Sequence, residues 1–311
     1  LTPTNITTAE LSDHRVREVG EKEVFPNKDT RSGQNDWLQT LDFAYYPNLR
    51  GPYNYTTTGV NADGTLANPK SRWGGMFRKI DNTDFEAQNI EFLEMWMMDP
   101  VLTNPNKDGG DIYFNLGNIS EDILKDGRKS LENALSPVGD LSQVDQTNWG
   151  RVTKNQPVIQ AFDSDSESRQ RQDVGLDGLS DADESSFHGS FLSQLQGVLN
   201  PAALAEIQND PSSDNYMYFR SQQMDQQSAG ILKRYQRYNG VDGNSKTNEQ
   251  SQRDFGVPTS ASTLLPDGED VNRDNNMNEI DEYYQYRISI RQQDMICLLY
   301  TSDAADEEDS V

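Results

Sequence analysis

The sequence has little cysteine, a deficit of positive charge and a low apolar content, and each shortage excludes a class of protein. Cys297 is the single cysteine among 311 residues, which excludes a disulfide framework and a thiolate metal site. Lys and Arg number 27 against 51 Asp and Glu, and the net charge of −24 repels nucleic acid and anionic lipid but attracts divalent cations. Apolar residues make up 33% of the chain. Because globular domains have ~45–50%, we expect short elements joined by long polar loops.

Motifs for nucleotide binding and nucleophilic catalysis are also missing. The sequence contains neither G-x-G-x-x-G nor G-x-x-x-x-G-K-[ST]. The two histidines, His14 and His188, have no G-x-S-x-G elbow nearby, and His188 beside Phe187 is predicted to be structural. We therefore predict that the chain is not an enzyme and has no catalytic residue. A secreted glycosidase stays open as an alternative, because its paired carboxylates are recognised by their separation in space.

The most informative stretch of the sequence runs over Trp73–Leu135. Within it, Ile90–Met98 is apolar on both faces of a strict alternation, which predicts a strand covered on both sides. Alternation over Ile112–Leu116 predicts a second strand, joined to the first as an antiparallel pair by a loop rich in Gly, Asn and Pro. A short helix is predicted over Ser120–Gly127, with Ser120 as its N-cap.

These patterns predict a mainly β fold, with an antiparallel β-sandwich-like core, long polar loops and a few short helices. Helical spacing of apolar residues predicts helices over 187–198 and 202–207, and clear alternation predicts a strand over Tyr284–Ile290. The chain begins at Leu1 without a signal peptide, so we expect an internal fragment. The predicted units are a polar lead-in (1–36), the β-sandwich-like core (37–135), a linker (136–157), an Asp-rich second region (158–294) and a tail that we interpret as non-native, translated adapter sequence (295–311).

One acidic stretch near the end of the second region has the spacing of a calcium loop. Side-chain oxygens fall at positions 1, 3, 5, 7, 9 and 12 of an EF-hand-type loop. Position 6 is Asn275 rather than Gly, although Asn tolerates the left-handed conformation, and a strand rather than a helix follows. The alternative is a solvated acidic turn. The candidate calcium ligands are Asp270, Asn272, Asp274, Asn276, Asn278 and Asp281.

A second candidate calcium site lies earlier, in a stretch where Gly175 and Gly178 are predicted to permit tight turns. Five acids within twelve residues repel one another unless a cation or solvent screens them. The alternative here is a flexible acidic linker. The candidate ligands are Asp173, Asp177, Asp181, Asp183 and Glu184. Ca²⁺ is the one cofactor that the sequence predicts.

Seven segments, in order along the chain, give the sequence a likeness to a known family. It resembles the SprA family of Bacteroidota, outer-membrane translocons of type IX secretion that are also linked to gliding motility. The segments are EVFPNKD (Glu23–Asp29), TLDFAYYPNLRGPYNY (Thr40–Tyr55), WGGMFRKI (Trp73–Ile80), TDFEAQNIEFLEMWMMDP (Thr83–Pro100), GGDIYFNLGNISEDILKDGRKSLEN (Gly109–Asn133), QDVGLDGLSDADE (Gln172–Glu184) and LLPDGEDVNRDNNMNEIDEYYQYRISI (Leu264–Ile290).

The resemblance implies a non-catalytic structural segment of a protein-export translocon at the outer membrane and cell surface. It implies other secretion-system components and exported cargo as partners, no nucleic acid, and attachment to the outer membrane through the parent protein. The alternative is a calcium-stabilised carbohydrate-binding β-sandwich of a cell-surface protein. That alternative expects Trp73, Trp96 and the Tyr45–Tyr46 pair on an exposed aromatic platform, whereas the translocon hypothesis expects Trp96 and its neighbours to be buried.

Overall fold

The computed structural model describes residues 3, 5–29, 36–81, 83–99, 102, 109–124, 126–128, 135–154, 161–237, 240–243, 248–255, 269–291 and 293–294. The structure has 12% strand and 23% helix, and its strands form two small two-stranded sheets. The prediction of a mainly β sandwich is therefore wrong, since helices make up the larger share of the regular structure.

The regular elements in these ranges are short. The helices are α1 (Thr8–Leu11), α2 (Glu21–Val24), α3 (Ser166–Arg169), α4 (Asp181–Phe187), α5 (Gly189–Leu195), α6 (Pro201–Asn209), α7 (Gln222–Gln226), α8 (Ile231–Tyr235) and α9 (Asn248–Phe255), with one 3₁₀ turn at Pro69–Ser71. The strands are β1 (Asp111–Asn118), β2 (Val144–Gln146), β3 (Arg151–Thr153) and β4 (Glu282–Ser289).

The apolar core lies among α4, α5 and α6, which contact one another. Its buried side chains are spaced four residues apart along α5 and α6, so each helix turns one apolar stripe toward the others. Tyr55 and Val60 cover the cluster from an earlier segment of the chain. The buried members are Phe191, Leu195, Leu199, Ala203 and Ile207.

The ends of these helices follow from their sequence. Ser180 caps α4, and Asn200 caps α6 by accepting a hydrogen bond from the amide of Ala203 at 2.9 Å. Pro201 occupies the first turn of α6, where its missing N–H leaves no hydrogen bond unmade. The two predicted helices are confirmed, with one difference. The predicted helix is interrupted at His188, so α4 ends at Phe187 and α5 begins at Gly189 and ends at Leu195.

The predicted strands over 112–116 and 284–290 are confirmed as β1 and β4, but their pairing was not predicted. β1 pairs with β4 antiparallel, with Asp111 opposite Ser289 and Asn118 opposite Glu282. The apolar residues of both strands share one face of this ribbon, since directly opposed residues point to the same side. Asp111 ties the ribbon end by accepting from Arg287 at 3.1 Å and from Arg291 at 2.7 Å.

The segment 90–98, predicted as a strand covered on both faces, forms no strand and is largely exposed. Phe92 is 79% exposed and Trp96 is 65% exposed. The prediction that Trp96 and its neighbours are buried is therefore wrong for this chain. Trp96 instead packs edge-on against Phe25, with ring centroids 5.6 Å apart. Apolar alternation fixes a strand only where a partner strand pairs with it, and β1 takes β4 as its partner here.

The helix predicted after Ser120 is also wrong for its described residues, which lie outside any helix. The amide of Ser120 donates to the Asp281 carboxylate at 2.9 Å, and the Glu121 side chain is bound to the 270–278 loop. The Ser120 hydroxyl still accepts from the amide of Asp122 at 3.3 Å, as an N-cap would, but no helix follows it.

The predicted boundaries at residues 36, 135, 157 and 294 stay predictions, and the β1–β4 pair links the two predicted regions. The tail over 295–311 lies outside the described residues. In the part of the chain that the structure describes, no helix combines the length and the apolar character needed to cross a membrane.

Candidate metal centre

The first predicted calcium loop, residues 270–281, is held together by hydrogen bonds between its own side chains and its own backbone amides. The Asp270 carboxylate accepts from the amide of Asp274 at 3.0 Å and from the amide of Asn275 at 2.8 Å. Asn275 has a φ of 63°, so the left-handed conformation expected at position 6 is confirmed. Asp274 accepts from the amide of Asn276 at 2.8 Å, a contact that lowers the pKa of Asp274.

A residue that sequence reasoning missed, Glu121, anchors this loop. Glu121 is 6% exposed, and its carboxylate accepts from the amides of Val271 at 2.9 Å and Asn278 at 3.0 Å. It also accepts from the Asn278 side chain at 3.1 Å. Asp281, the twelfth position, is bonded to Ser120 instead. Hydrogen bonds within the loop therefore connect five of the six predicted ligands, whereas Asp281 binds Ser120 outside the loop. The five are Asp270, Asn272, Asp274, Asn276 and Asn278.

The second predicted site is divided between the surface and the interior. Asp183 pairs with Arg151 at 2.6 Å, and Asp173 pairs with Arg169 at 3.3 Å. Asp181 is exposed and accepts from the side chain of Asn215 at 2.8 Å. By contrast, Asp177 is 2% exposed and Glu184 is fully buried. Of the five predicted ligands, only Asp177 and Glu184 are therefore buried.

The buried acids meet a third that was not predicted, Asp214, in the loop after α6. Asp177, Glu184 and Asp214 each place a carboxylate oxygen within 4.8 Å of the others, and all three are buried. We name these three residues the carboxylate centre. Asp181, Glu184 and Asp210 form a second group under the same limit, so Glu184 belongs to both. Among the described residues these two groups are the sets of three acids that come this close.

Backbone geometry brings the three segments together. Asp177 lies in the loop before α4, Glu184 lies on α4, and Asp214 follows α6 in a loop where Ser213 has a φ of 57°. Gly175 has a φ of +74°, and a Cβ there would lie 2.1 Å from the Asp214 Oδ2 atom. Only glycine allows this approach, so the tight turn predicted at Gly175 has a packing role as well.

Hydrogen-bond donors hold one oxygen of Glu184 and of Asp214 and both oxygens of Asp177, whose Oδ1 atom accepts from the amide of Leu179 at 3.0 Å. The Tyr53 hydroxyl donates to Asp214 Oδ2 at 2.9 Å, and the Ser212 amide donates to Glu184 Oε2 at 2.8 Å. The Ser212 hydroxyl donates to Asp177 Oδ2 at 2.6 Å. Glu184 Oε1 and Asp214 Oδ1 are buried and have no hydrogen-bond partner among the described residues.

The environment of the carboxylate centre disfavours its charged forms. Burial raises the pKa of Asp177 to about 6, that of Glu184 to about 8 and that of Asp214 to about 10. Repulsion adds to this, because Asp177 raises the pKa of Glu184 and both raise the pKa of Asp214. Burial also raises the pKa of nearby Asp242 to about 8. Such a group is stable if it holds protons or if a hard cation offsets its charge.

Comparison with known proteins bears on the part of the chain that begins within α5. Residues 190–308 match the SprA_N family model, described as motility related/secretion protein. This chain carries a SprA-related segment. The resemblance noted in the sequence is thereby confirmed for that segment. A search of curated proteins found no match.

The SprA-related segment contains part of the carboxylate centre and all of the predicted 270–281 loop. Asp210 and Asp214 lie inside the matched residues, whereas Asp177 and Glu184 precede them. The match also continues beyond Met295, into the stretch that we interpret as non-native. The family description associates the segment with secretion and motility, and thus with the secretion machinery and the cell envelope.

A sequence signal for Asp214 was present but weak. The chain reads DPSSDNY from Asp210 to Tyr216, with two acids four residues apart in a polar loop. Nothing local relates this loop to the earlier acidic stretch, since α5 and α6 separate them.

Proposed function

We propose that the chain is a non-catalytic structural segment of an outer-membrane protein-export translocon of type IX secretion, linked to gliding motility. The observation that carries the proposal is the match of residues 190–308 to a family described as motility related/secretion protein. The seven ordered segments between Glu23 and Ile290 support the same family over a longer stretch.

Contacts of the acids and histidines support a role without catalysis. The three carboxylates that come together are at most 2% exposed, so a sugar chain has no access to them as a glycosidase mechanism would require. His14 Nε2 contacts the carbonyl oxygen of Asp99 at 2.9 Å. The His188 ring stacks on Tyr55 with centroids 4.1 Å apart. Both histidines are therefore engaged in packing or backbone contacts.

Exposed apolar side chains support contact with other proteins. Trp73 is 89% exposed, Phe92 79% and Leu93 59%, and Tyr284 on the β1–β4 ribbon is 78% exposed. Large apolar side chains grouped at a surface are typical of interaction sites. The partners that we propose are other secretion-system components and exported cargo, with the outer membrane reached through the parent protein. Trp73 and Trp96 are exposed, as the carbohydrate-binding alternative expects. That alternative is not retained, because the described strands form two-stranded sheets only and no sandwich carries these rings.

The test is protein export in a bacterium that carries a full-length member of the family. The segment corresponding to Trp73–Leu135 is deleted, and secretion of a known cargo is followed while the mutant protein is quantified in the outer membrane. We expect export to be lost with the protein in place. Normal export with normal protein levels would show that this region has no part in transport.

A pair of substitutions narrows the test to the exposed segment 90–98, which we name the exposed strip. Phe92→Ser with Trp96→Ser removes two exposed rings, and Val138→Ser is the matched control because Val138 is 81% exposed outside the strip. We expect the double variant to reduce export and the control to leave it unchanged. Equal export in both strains would contradict a docking role for this strip.

A further inference from the structure

We propose that Asp177, Glu184 and Asp214 bind a divalent cation, calcium, which cross-links the loop before α4, α4 itself and the loop after α6. The proposal concerns the folded chain and does not depend on the export function. It rests on four independent features of the carboxylate centre.

The first feature is a pair of buried oxygens that no described group satisfies. Glu184 and Asp214 are both fully buried, and Glu184 Oε1 and Asp214 Oδ1 have no hydrogen-bond partner among the described residues. Buried polar atoms in native proteins are almost always paired with protein, water or an ion. The carboxylate oxygens of the centre converge to within 4.8 Å of one another, so a single ion can contact all three acids.

The second feature is charge. When they bind a cation, the three carboxylates are ionised and carry three negative charges. Arg50 and Arg151 act electrostatically on Glu184 and Asp177, but their hydrogen bonds go to other groups. Arg50 donates to the carbonyls of Pro211 at 2.5 Å and Asp210 at 3.1 Å. Arg151 donates to Asp183 at 2.6 Å. Two arginines that bond to other groups do not offset three ionised acids, and burial without a cation raises the pKa of each acid. A bound divalent cation would supply the missing positive charge.

The third feature is a supporting shell of donors. Tyr53 and Ser212 each donate to one oxygen of a carboxylate, which restricts the carboxylate and leaves its other oxygen available to an ion. Metal sites in proteins use such outer contacts to fix the ligand before the ion binds. Gly175 removes the side chain that would otherwise press on Asp214, so the backbone itself makes room for the cluster.

The fourth feature is the chemistry of the donors. All are carboxylate oxygens, which favour hard cations, and the three come from separate segments of the chain. Calcium accepts 6–8 oxygens in flexible geometry, whereas magnesium needs near-octahedral ligands and keeps several waters. The neighbouring group formed by Asp181, Glu184 and Asp210 places further oxygens beside the same Glu184. The number of acidic oxygens close together favours calcium.

The test uses the whole chain after treatment with a chelator. Calcium chloride and, separately, magnesium chloride are titrated by calorimetry, and the urea midpoint is measured with and without each salt. We expect calcium to bind and to raise the midpoint, and magnesium to do so more weakly. Loss of an outer-shell contact typically weakens metal binding ~10–100-fold. We therefore expect Asp214→Asn, which removes the negative charge of a direct ligand, to weaken calcium binding by at least about tenfold.

Two comparisons make the result specific. Asp183→Asn is the matched control, since Asp183 belongs to the same acidic stretch but pairs with Arg151. It is expected to keep calcium binding at this centre. Asp274→Asn tests the separate 270–278 loop, and it too is expected to leave the carboxylate centre unchanged.

Folding of the variants provides an internal check. In chelator, Asp214→Asn and Glu184→Gln put a neutral amide of nearly the same shape in place of the acid, so both variants are expected to stay folded with a measurable urea midpoint. Loss of the calcium response in a variant that folds in chelator supports the site. The proposal is overturned if calcium does not bind, if Asp214→Asn binds as well as the unaltered chain, or if Asp274→Asn alone abolishes binding. A failure here leaves the export proposal standing, because the two assays share no readout.

Discussion

Replacement of Leu195 by alanine tests whether the core lies among α4, α5 and α6. Leu195 is 1% exposed and packs in the apolar cluster of these helices. The substitution removes three buried carbon atoms, and at ~0.8 kcal/mol for each the lost transfer free energy is about 2.4 kcal/mol. The cavity left in a helical core adds about 1 kcal/mol, so we expect a loss of about 3–4 kcal/mol in the free energy of unfolding.

Leu93→Ala is the matched comparison, because Leu93 lies in the segment that the sequence predicted as the sandwich core. Leu93 is 59% exposed, so the same truncation removes less buried area and leaves no enclosed cavity. We expect a loss of about 1 kcal/mol or less. Urea unfolding followed by tryptophan fluorescence measures both values, since Trp149 lies 6.1 Å from Tyr55 at the edge of the helical core. Equal losses, or a larger loss at Leu93, would refute the helical core.

Three other substitutions test contacts between distant segments. Gly175→Ala is expected to lower the urea midpoint strongly, because the added Cβ would lie 2.1 Å from a carboxylate oxygen. Arg234→Lys is expected to cost about 3–5 kcal/mol of unfolding free energy, since the fully buried guanidinium donates to two carbonyls and two side chains. Glu121→Gln is expected to cost about 1–3 kcal/mol and to speed amide exchange in the 270–278 loop, because the new amide group faces backbone donors.

Each of these substitutions has a control on the same chain. Gly127→Ala places alanine at a φ of +77° with open space around it, so it separates backbone strain from the clash. Arg128→Lys alters an exposed ion pair and is expected to cost less than about 1 kcal/mol. Glu91→Gln alters an exposed carboxylate and is expected to leave the 270–278 loop unchanged. A substitution that costs no more than its control would contradict the contact assigned to it.

Local patterns in the sequence predicted those elements that the spacing of their own side chains is enough to identify. The alternation over 112–116 and 284–290 yields β1 and β4, and the helical spacing after Phe187 yields α5. The left-handed conformation of Asn275 also follows from its position in the loop. In these cases the side-chain period or the turn chemistry is sufficient without knowledge of the rest of the chain.

Long-range pairing explains what the sequence did not predict. The alternating segment 90–98 has the stronger apolar pattern, yet β1 pairs with β4, which is far away along the chain. Glu121 binds the amide of Val271 across 150 residues, and this contact replaces the predicted helix. Asp214 joins Glu184 only because α5 and α6 fold back on α4. No local period encodes such contacts, since they depend on which distant segments compete for one partner.

We propose that α4, α5 and α6 form the stable helical core and that the carboxylate centre beside it binds calcium. Hydrogen–deuterium exchange of the whole chain, with chelator and then with excess calcium, measures both properties at once. We predict slow exchange in α4, α5 and α6 in both conditions, added protection of the loops around Asp177 and Asp214 with calcium, and fast exchange over 90–98 throughout. Calcium-independent exchange at both loops, or the strongest protection over 90–98, would contradict the account.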